Sequence, residues 1–494
     1  MSTRRPQFAD TADEIRSFDD APFVRFDPTL VIADPAFDQL IDEVQERYLP
    51  SQKREAVRRN LAALLANLYW CWWGDADAFV AIRASNSAPA FKKKIGGEVN
   101  RYNVASLSSK MVAFIKDLAA AGVIDRRRGG VHPDTQQRVL TRIRPDHDLM
   151  GMFEALPVSV RQSVSLHPSA EFIILRDEDK NDINYTDTDQ TRAMRRRLVD
   201  YNRLLDRTFI DISGLGYPPV IVTQNKTRHG RQPTTRRVTV SQSSKRVYRI
   251  FSNGDWDQGG RFWRGFWMNL RSEERRLLHI DNEPTVELDY AGLHPVLLYA
   301  EAGVDYWAGS DRRPYETVEV QDPDTGELIS PAIIKVFLLI MLNAGDRSSG
   351  FKAVRSSLGG MIGEVRLTDG LLDRLLGAIR QRHPIIGDQL GIGVGNRLMN
   401  IDGRITDIII DTLTGMDIPV LSIHDSYIVA RQHEGLLRHT MESAYRQVTG
   451  VDKVMIDRKY GGQDQSMTID YERRYRRFLE ALGGHTGTDS RKAL

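Results

Sequence analysis

Cysteine is almost missing: Cys71 is the only one among 494 residues. A lone thiol builds no disulfide framework and no Cys-based zinc site, and such usage fits a reducing, cytoplasmic setting. No apolar run reaches the roughly 18 residues of a membrane span, so no membrane partner is expected. No apolar signal core follows Met1-Ser2-Thr3-Arg4-Arg5-Pro6. Internal repeats, a P-loop and helicase motifs are absent. A strong excess of one charge is absent too. The net charge is +2, although lysine and arginine are unevenly placed, so any contact with nucleic acid must come from local clusters. What remains, 41% hydrophobic and 27% charged residues, describes a globular chain long enough for about three domains.

The most informative segment is Ile423-His424-Asp425-Ser426, set between apolar runs at 418–422 and 427–430. The pattern predicts a β-hairpin with a carboxylate at its tip. A buried carboxylate without a partner is costly, and a metal ion is the usual reason to keep one. A second candidate is Asp289. Val286 and Leu288 alternate as in a strand that Asp289 ends, and Leu293, Val296, Leu297 and Ala300 follow at helical spacing. Two such aspartates can hold two Mg²⁺ or Mn²⁺ ions, one activating a nucleophile and one stabilising a leaving oxygen. Mg²⁺ suits the pair because it keeps few protein carboxylates and fills its shell with water and phosphate. Taken singly, a strand-end aspartate is more often a cap or turn residue.

The first half carries several basic and aromatic clusters. Residues 51–83 read as a helical block holding Tyr69-Trp70-Cys71-Trp72-Trp73, a cluster better suited to a core than to base stacking. Met111, Phe114, Ile115 and Leu118 mark one face of a helix that Ser108 or Ser109 can cap. A strand at 123–124, the turn Arg126-Arg127-Arg128-Gly129-Gly130 and a strand at 139–144 follow. This order resembles the recognition helix and wing of a winged helix-turn-helix, whose arginines would touch phosphate; a protein-contact module with a solvated basic turn is the alternative. Residues 177–192 read as an acidic surface linker. A helix with Arg192, Arg195, Arg196, Arg197, Arg203 and Arg207 comes next. The stretch 224–249 then holds Lys226, Arg228, Arg231, Arg236, Arg237, Lys245, Arg246 and Arg249, a density that predicts salt-sensitive phosphate contact.

From residue 245 onward the motifs fall in the order of a known superfamily. Asp257-Gln258-Gly259-Gly260-Arg261 resembles the DxxGR motif of phage and mitochondrial RNA polymerases. Asp289-Tyr290 resembles motif A. Lys335, on an apolar helix at 333–344, resembles the motif B lysine. The run from Asn400 through Asp402, Gly403, Asp407 and Ile408 resembles the segment leading into motif C, and His424-Asp425 resembles motif C itself. Over roughly residues 190–470 the chain thus resembles the family A DNA polymerases and single-subunit RNA polymerases. The resemblance implies an α+β right-hand fold, with a small antiparallel palm sheet and helical fingers and thumb. It implies that Asp289, Asp425 and the Tyr290 carbonyl hold the two metal ions. It also implies that Lys335 grips the incoming triphosphate, that His424 joins the catalytic set, and that Asp257, Gly260 and Arg261 contact the template–product duplex.

Departures stand out. Pro331 replaces an arginine of the family, so one triphosphate contact must come from elsewhere, for instance Arg347 or Arg355. Leu339 replaces the aromatic beside the incoming nucleotide, and Asn343 replaces a tyrosine. His294 stands where the DNA enzymes carry the Glu that excludes a 2′-hydroxyl; it either crowds the 2′ position or caps its helix. Ser426 matches the RNA-polymerase form of motif C. The spacing from motif A to motif C is short, which implies small fingers.

The expected organisation is a helical and winged-helix-like nucleic-acid-binding region at 1–150, a connecting and thumb-like region at 151–245, and a palm at 246–470. The fingers are inserted at about 300–400, and a basic tail covers 471–494, where Arg473, Arg474, Arg476 and Arg477 form a solvated helix face or a DNA contact. The expected function is template-directed DNA synthesis from a primer–template and nucleoside triphosphates, of mobile-element or plasmid type. No exonuclease carboxylate cluster precedes residue 245, so no proofreading is expected. The alternatives are an RNA-synthesising primase or small RNA polymerase, and a non-catalytic replication initiator on a polymerase scaffold.

Overall fold

The computed structural model describes residues 15, 21–50, 55–84, 91–132, 138–224, 235–359, 361–362, 365–461 and 466–482. The chain is α+β, and most of its strand pairs are antiparallel.

Two hydrophobic cores organise it. The first runs from Val24 to Val160. Its sheet has the order β1 (Phe23–Arg25), β2 (Phe79–Ile82), β4 (Thr141–Pro145) and β3 (Ile124–Arg127). Helices α1 (Pro35–Tyr48), α2 (Glu55–Gly74) and α3 (Lys110–Ala120) complete this body. The block expected to be helical through residue 83 therefore ends at Gly74. Residues 79–82 are all buried and include the β-branched Val80 and Ile82, which suits a central strand. Of the aromatic cluster Tyr69 is core, packing on Phe37 and edge-on to Phe153, while Trp70, Trp72 and Trp73 are half-buried. In α3 the apolar face of Met111, Phe114, Ile115 and Leu118 is buried. Neither serine caps it through its side chain. Ser109 makes no such bond, and the Ser108 hydroxyl accepts from Asn60 Nδ2.

The second core runs from Ala170 to Tyr445. One of its sheets joins β6 (Asp182–Ile183), β5 (Ile173–Arg176), β10 (Tyr248–Ser252) and β11 (Asp255–Trp263) in that order. The segment expected as a loose acidic linker is thus partly a strand. It is also tied down by ion pairs, with Arg101 and Arg195 each bridging Glu171 and Asp187.

The other sheet positions the site. Its order is β7 (Ile210–Ile212), β12 (Leu278–Ile280), β13 (Glu283–Tyr290), β15 (Ser426–Ala430) and β14 (Leu421–Ile423). A further strand, β16 (Ile456–Gly461), pairs with β13 on the edge that β12 leaves open, and every pairing is antiparallel. Helices α5 (Leu293–Glu301) and α8 (Glu434–Thr449) pack near β13. Between β13 and β14 come α6 (Pro331–Asn343), two further helices (Arg347–Leu358 and Asp369–Arg382) and the long α7 (Gly395–Gly415).

Helix α7 lies directly on β11 because both are glycine at the crossing. A Cβ on Gly403 would sit 2.3 Å from the Gly260 carbonyl oxygen, and backbone cannot swing aside as a side-chain tip can. An alanine would gain about 1 kcal/mol of helix propensity. The overlap outweighs that gain, so Gly403→Ala is expected to lose about 1–3 kcal/mol net, read as a lower urea midpoint.

Most basic residues of helix α4 (Asp189–Asp206) and of the run at 245–249 have acidic or carbonyl partners within the chain, while Arg196 is exposed. Arg192 pairs with Asp189, Arg197 with Asp407 and Arg203 with Asp200. Arg207, just past the helix, pairs with Asp417. Arg246 pairs with Asp27, and the buried Arg249 with Asp407. Lys245 is buried and donates to the Thr208 carbonyl at 2.6 Å. Burial pushes its ammonium down to about 7, partly opposed by Asp206. Lys226, Arg228 and Arg231 lie outside the described residues. At the C-terminus the expected tail is a helix, α9 (Ile469–Ala481). Tyr471 and Phe478 pack on Phe209, and Arg474 forks onto the buried Asp211. Arg474 is therefore a structural tie and not part of a solvated face. Among the described residues no helix is long and apolar enough to cross a membrane.

Candidate active site

Strand pairing brings the two aspartates together. Asp289 lies opposite Ser426, and the Tyr290 amide donates to the Asp425 carbonyl at 3.1 Å. Strands β14 and β15 pair Ile423 with Ser426, so His424 and Asp425 form a two-residue turn at the hairpin tip. His424 has φ 58°, a left-handed conformation that a non-glycine residue adopts only where its surroundings enforce it. Its ring sits edge-on to Trp263 at 4.9 Å, and its buried Nδ1 has no hydrogen-bond partner.

Both carboxylates have a raised proton affinity. Burial, then the charge of Asp425, pushes Asp289 up to about 6, against the pull of Lys459. Asp425 is raised by burial and by Asp402, and is drawn back by Arg261 and Lys335. Like charges this dry, one within the field of the other, call for cations. Among the described residues no three His, Cys, Asp or Glu side chains form a cage for a metal. The donor set nevertheless fits Mg²⁺, since two hard carboxylates suffice for an ion that completes its shell with water and phosphate oxygens.

A third carboxylate, Asp402 on α7, was not singled out from sequence. It is completely buried. Its Oδ2 accepts from Arg261 Nε at 2.5 Å, and its Oδ1 has no hydrogen-bond partner among the described residues. Arg261 also donates through Nη2 to His294 Nε2 at 2.7 Å, which places the imidazole proton on Nδ1. Burial, then Arg261 and His424, pushes His294 down to about 3, so it is a neutral acceptor at pH 7. His294 therefore works as a ligand for Arg261, and no side-chain cap bond marks the start of α5.

Lys335, Leu339 and Asn343 follow one another at four-residue steps along α6, and all three are exposed or half-buried. Lys335 lies over Tyr315, 5.5 Å from the ring centre, and its field reaches Asp425. Pro331 opens the helix, where its missing N–H costs nothing. The two arginines offered in place of the missing family contact are engaged elsewhere: Arg347 with Asp373, and Arg355 with the Leu367 carbonyl and Asp369.

Other expected residues direct their polar groups to different partners. The Tyr290 ring is in the core and its hydroxyl donates to the Met441 carbonyl at 2.6 Å, leaving only its backbone as a contributor. Asp257 is exposed and lines two cavities of about 400 Å³ on the far side of α7, with Asn400 and Arg404. Gly260 presents its carbonyl to Arg249 Nε at 2.8 Å. Ser426 donates to Glu287 at 2.6 Å, and Glu287 is forked by Arg275. In the N-terminal body Arg127 pairs with Asp125 at 3.0 Å. Arg126, Arg128 and Arg237 are each engaged within the chain, and the side chain of Arg236 lies outside the described part.

No protein-family model matches this chain, and no curated protein does. The functional reading therefore rests on the geometry of the cleft.

Two residues of the cleft escaped sequence reasoning. Lys459 on β16 bonds Asp289 Oδ2 at 2.7 Å; the alternation of Ile456, Arg458 and Tyr460 was the available sign of that strand. Asp402 lay in a run whose likeness to the motif C lead-in was noted, but nothing local marks its bond to Arg261.

Proposed function

We propose that the chain is a template-directed nucleotidyltransferase, a DNA polymerase without proofreading. In this reading strands β12 to β16 form the palm sheet, the helices at about 300–400 are the fingers, and residues 151–245 form the connecting and thumb-like region. The body at 1–150 is assigned to nucleic-acid contact. The observation that carries the reading is the meeting of Asp289 and Asp425 across paired strands, with Lys335 close enough to act on Asp425.

In the reaction the primer 3′-oxygen bonds the α-phosphorus, the α–β anhydride breaks, pyrophosphate leaves with the bonding electrons, and the hydroxyl proton passes to water. Two divalent cations, when bound, supply hydroxyl activation and stabilisation of the leaving oxygen. Asp289 and Asp425 hold the negative charge that fixes those cations. Lys335 supplies a point charge to the phosphates. Arg261, held in place by Asp402 and His294, faces the product duplex.

One observation favours a second reading, RNA synthesis. His294 is 7% exposed and turned to Arg261, so it offers little to exclude a 2′-hydroxyl. The test is primer extension with Mg²⁺ on a primed DNA template, with dNTPs and NTPs in parallel. Extension with dNTPs is expected. Strong NTP preference or primer-independent synthesis would replace the DNA assignment with RNA synthesis, and incorporation of neither set would refute nucleotidyl transfer.

A further inference from the structure

Lys459 occupies an unusual backbone position. On β13 and β16, Glu287 lies opposite Tyr460 and Leu288 opposite Arg458, with the register shifting between them. Lys459 is therefore the extra residue of a β-bulge. A bulge re-aims the side chain it carries, and bulges gather beside active sites. Here the re-aimed ammonium lands 2.7 Å from Asp289 Oδ2, with 37% of the side chain still exposed.

The neighbouring cations have other duties. Arg275 forks Glu287, Arg261 is bound to Asp402 and His294, and Arg313 is shared by Glu316 and Asp457. Arg347 and Arg355 are held by Asp373 and Asp369. Lys335 stands on the side of Asp425. Lys459 is thus the cation in contact with Asp289, and among the described residues its ion pair is to a carboxylate that a divalent cation would claim. Lysine is a compact charge on a flexible four-carbon stem, able to trade one partner for another.

We propose that Lys459 is an exchangeable counter-ion: it neutralises Asp289, yields that carboxylate to a divalent cation, and then binds a phosphate of the incoming nucleoside triphosphate. This rests on the nucleotidyl-transfer reading of the cleft. It also supplies the second phosphate contact that Pro331 cannot make. The exchange leaves two signatures of opposite sign. An ammonium that competes for Asp289 weakens metal binding to the nucleotide-free protein, while the same ammonium strengthens nucleotide binding once the metal is in place.

The experiment measures Mn²⁺ affinity of the full chain without nucleotide, by electron paramagnetic resonance, and then KM and kcat for nucleotide incorporation. Lys459→Met is expected to bind Mn²⁺ roughly 3- to 10-fold more tightly and to raise KM about 10-fold with a smaller change in kcat, as loss of one charged contact does. Lys459→Arg, which keeps the charge on a bulkier head, is expected to fall between the parent and Lys459→Met in both. A thermal melt of each variant checks the fold. A structural lysine would change the melt and leave Mn²⁺ affinity alone. Unchanged Mn²⁺ affinity and KM in Lys459→Met, with Mn²⁺ binding abolished by Asp289→Asn and Asp425→Asn, overturns the counter-ion role and leaves the metal site standing. Mn²⁺ binding indifferent to both aspartates overturns the metal site and the counter-ion role together.

Discussion

Asp289→Ala and Asp425→Ala are each expected to reduce nucleotide incorporation by roughly 10³-fold or more, the scale of removing a main electrostatic element from a phosphoryl-transfer site. The loss should come without unfolding. Burial and a neighbouring carboxylate raise the proton affinity of both groups, Asp425 acting on Asp289 and Asp402 on Asp425, so neither charge helps the fold. The partner left behind by Asp289→Ala is Lys459, which is exposed enough to be solvated. The bond that closes the hairpin onto β13 runs from the Tyr290 amide to the Asp425 carbonyl and survives a change of side chain. A melt at or above that of the parent, DNA binding within about twofold by fluorescence anisotropy, and loss of incorporation would together separate catalysis from binding. The non-catalytic initiator predicts the reverse: both variants keep the function of the parent. Intact incorporation in both would remove these aspartates from the chemistry.

The parts of this site legible in the sequence are those written in local periodicity. Asp289 ends an alternating run and precedes a 3.6-residue pattern, and the structure puts it at the end of β13, just before α5. His424 and Asp425 sit between two short apolar runs, and they form the tip of β14 and β15. Lys335, Leu339 and Asn343 share a face of α6 because four-residue spacing is a property of the helix itself. What was hidden depends on partners far along the chain. Arg197 and Arg249 look like a phosphate surface until Asp407 appears between them, and Arg246 looks free until Asp27 reaches it. A run of arginines in sequence shows one half of each pair. Strand β16 was obscured because Asp457, Arg458 and Lys459 dilute its apolar alternation, and of these charges Lys459 meets Asp289 while Asp457 pairs with Arg313 and Arg458 with Glu434. Asp402 was invisible for a related reason: its meaning comes from Arg261, 141 positions away.

That pair sets the second large expectation. Arg261→Ala should destabilise the fold by about 3–5 kcal/mol, the cost of stranding one member of a buried ion pair. Solvent screening offers little discount, since the Asp402 side chain is fully buried and that of Arg261 is 13% exposed. Burial already raises the Asp402 carboxyl even with Arg261 attached, and its Oδ1 has no donor to lean on. Without the guanidinium the upward shift grows. A carboxyl with a raised folded-state pKa favours the fold below its unfolded value near 4, and that contribution is lost as pH rises through the folded value. The deficit of Arg261→Ala, read from urea midpoints, should therefore widen from acidic to neutral pH. Arg261→Ala/Asp402→Leu, which removes both charges, should recover most of the loss, because a buried pair contributes little beyond solvating itself. Arg261→Lys should recover little. The guanidinium bonds Asp402 through Nε and His294 through Nη2, and a single ammonium has no such fork. A neutral His294 would be left buried beside an unmatched carboxylate, and the guanidinium that meets the duplex in the proposed reaction would be gone. If Arg261→Lys instead melts with the parent, the two bonds do not act as a unit, and the positioning of Arg261 must come from the contact of Gly403 with Gly260.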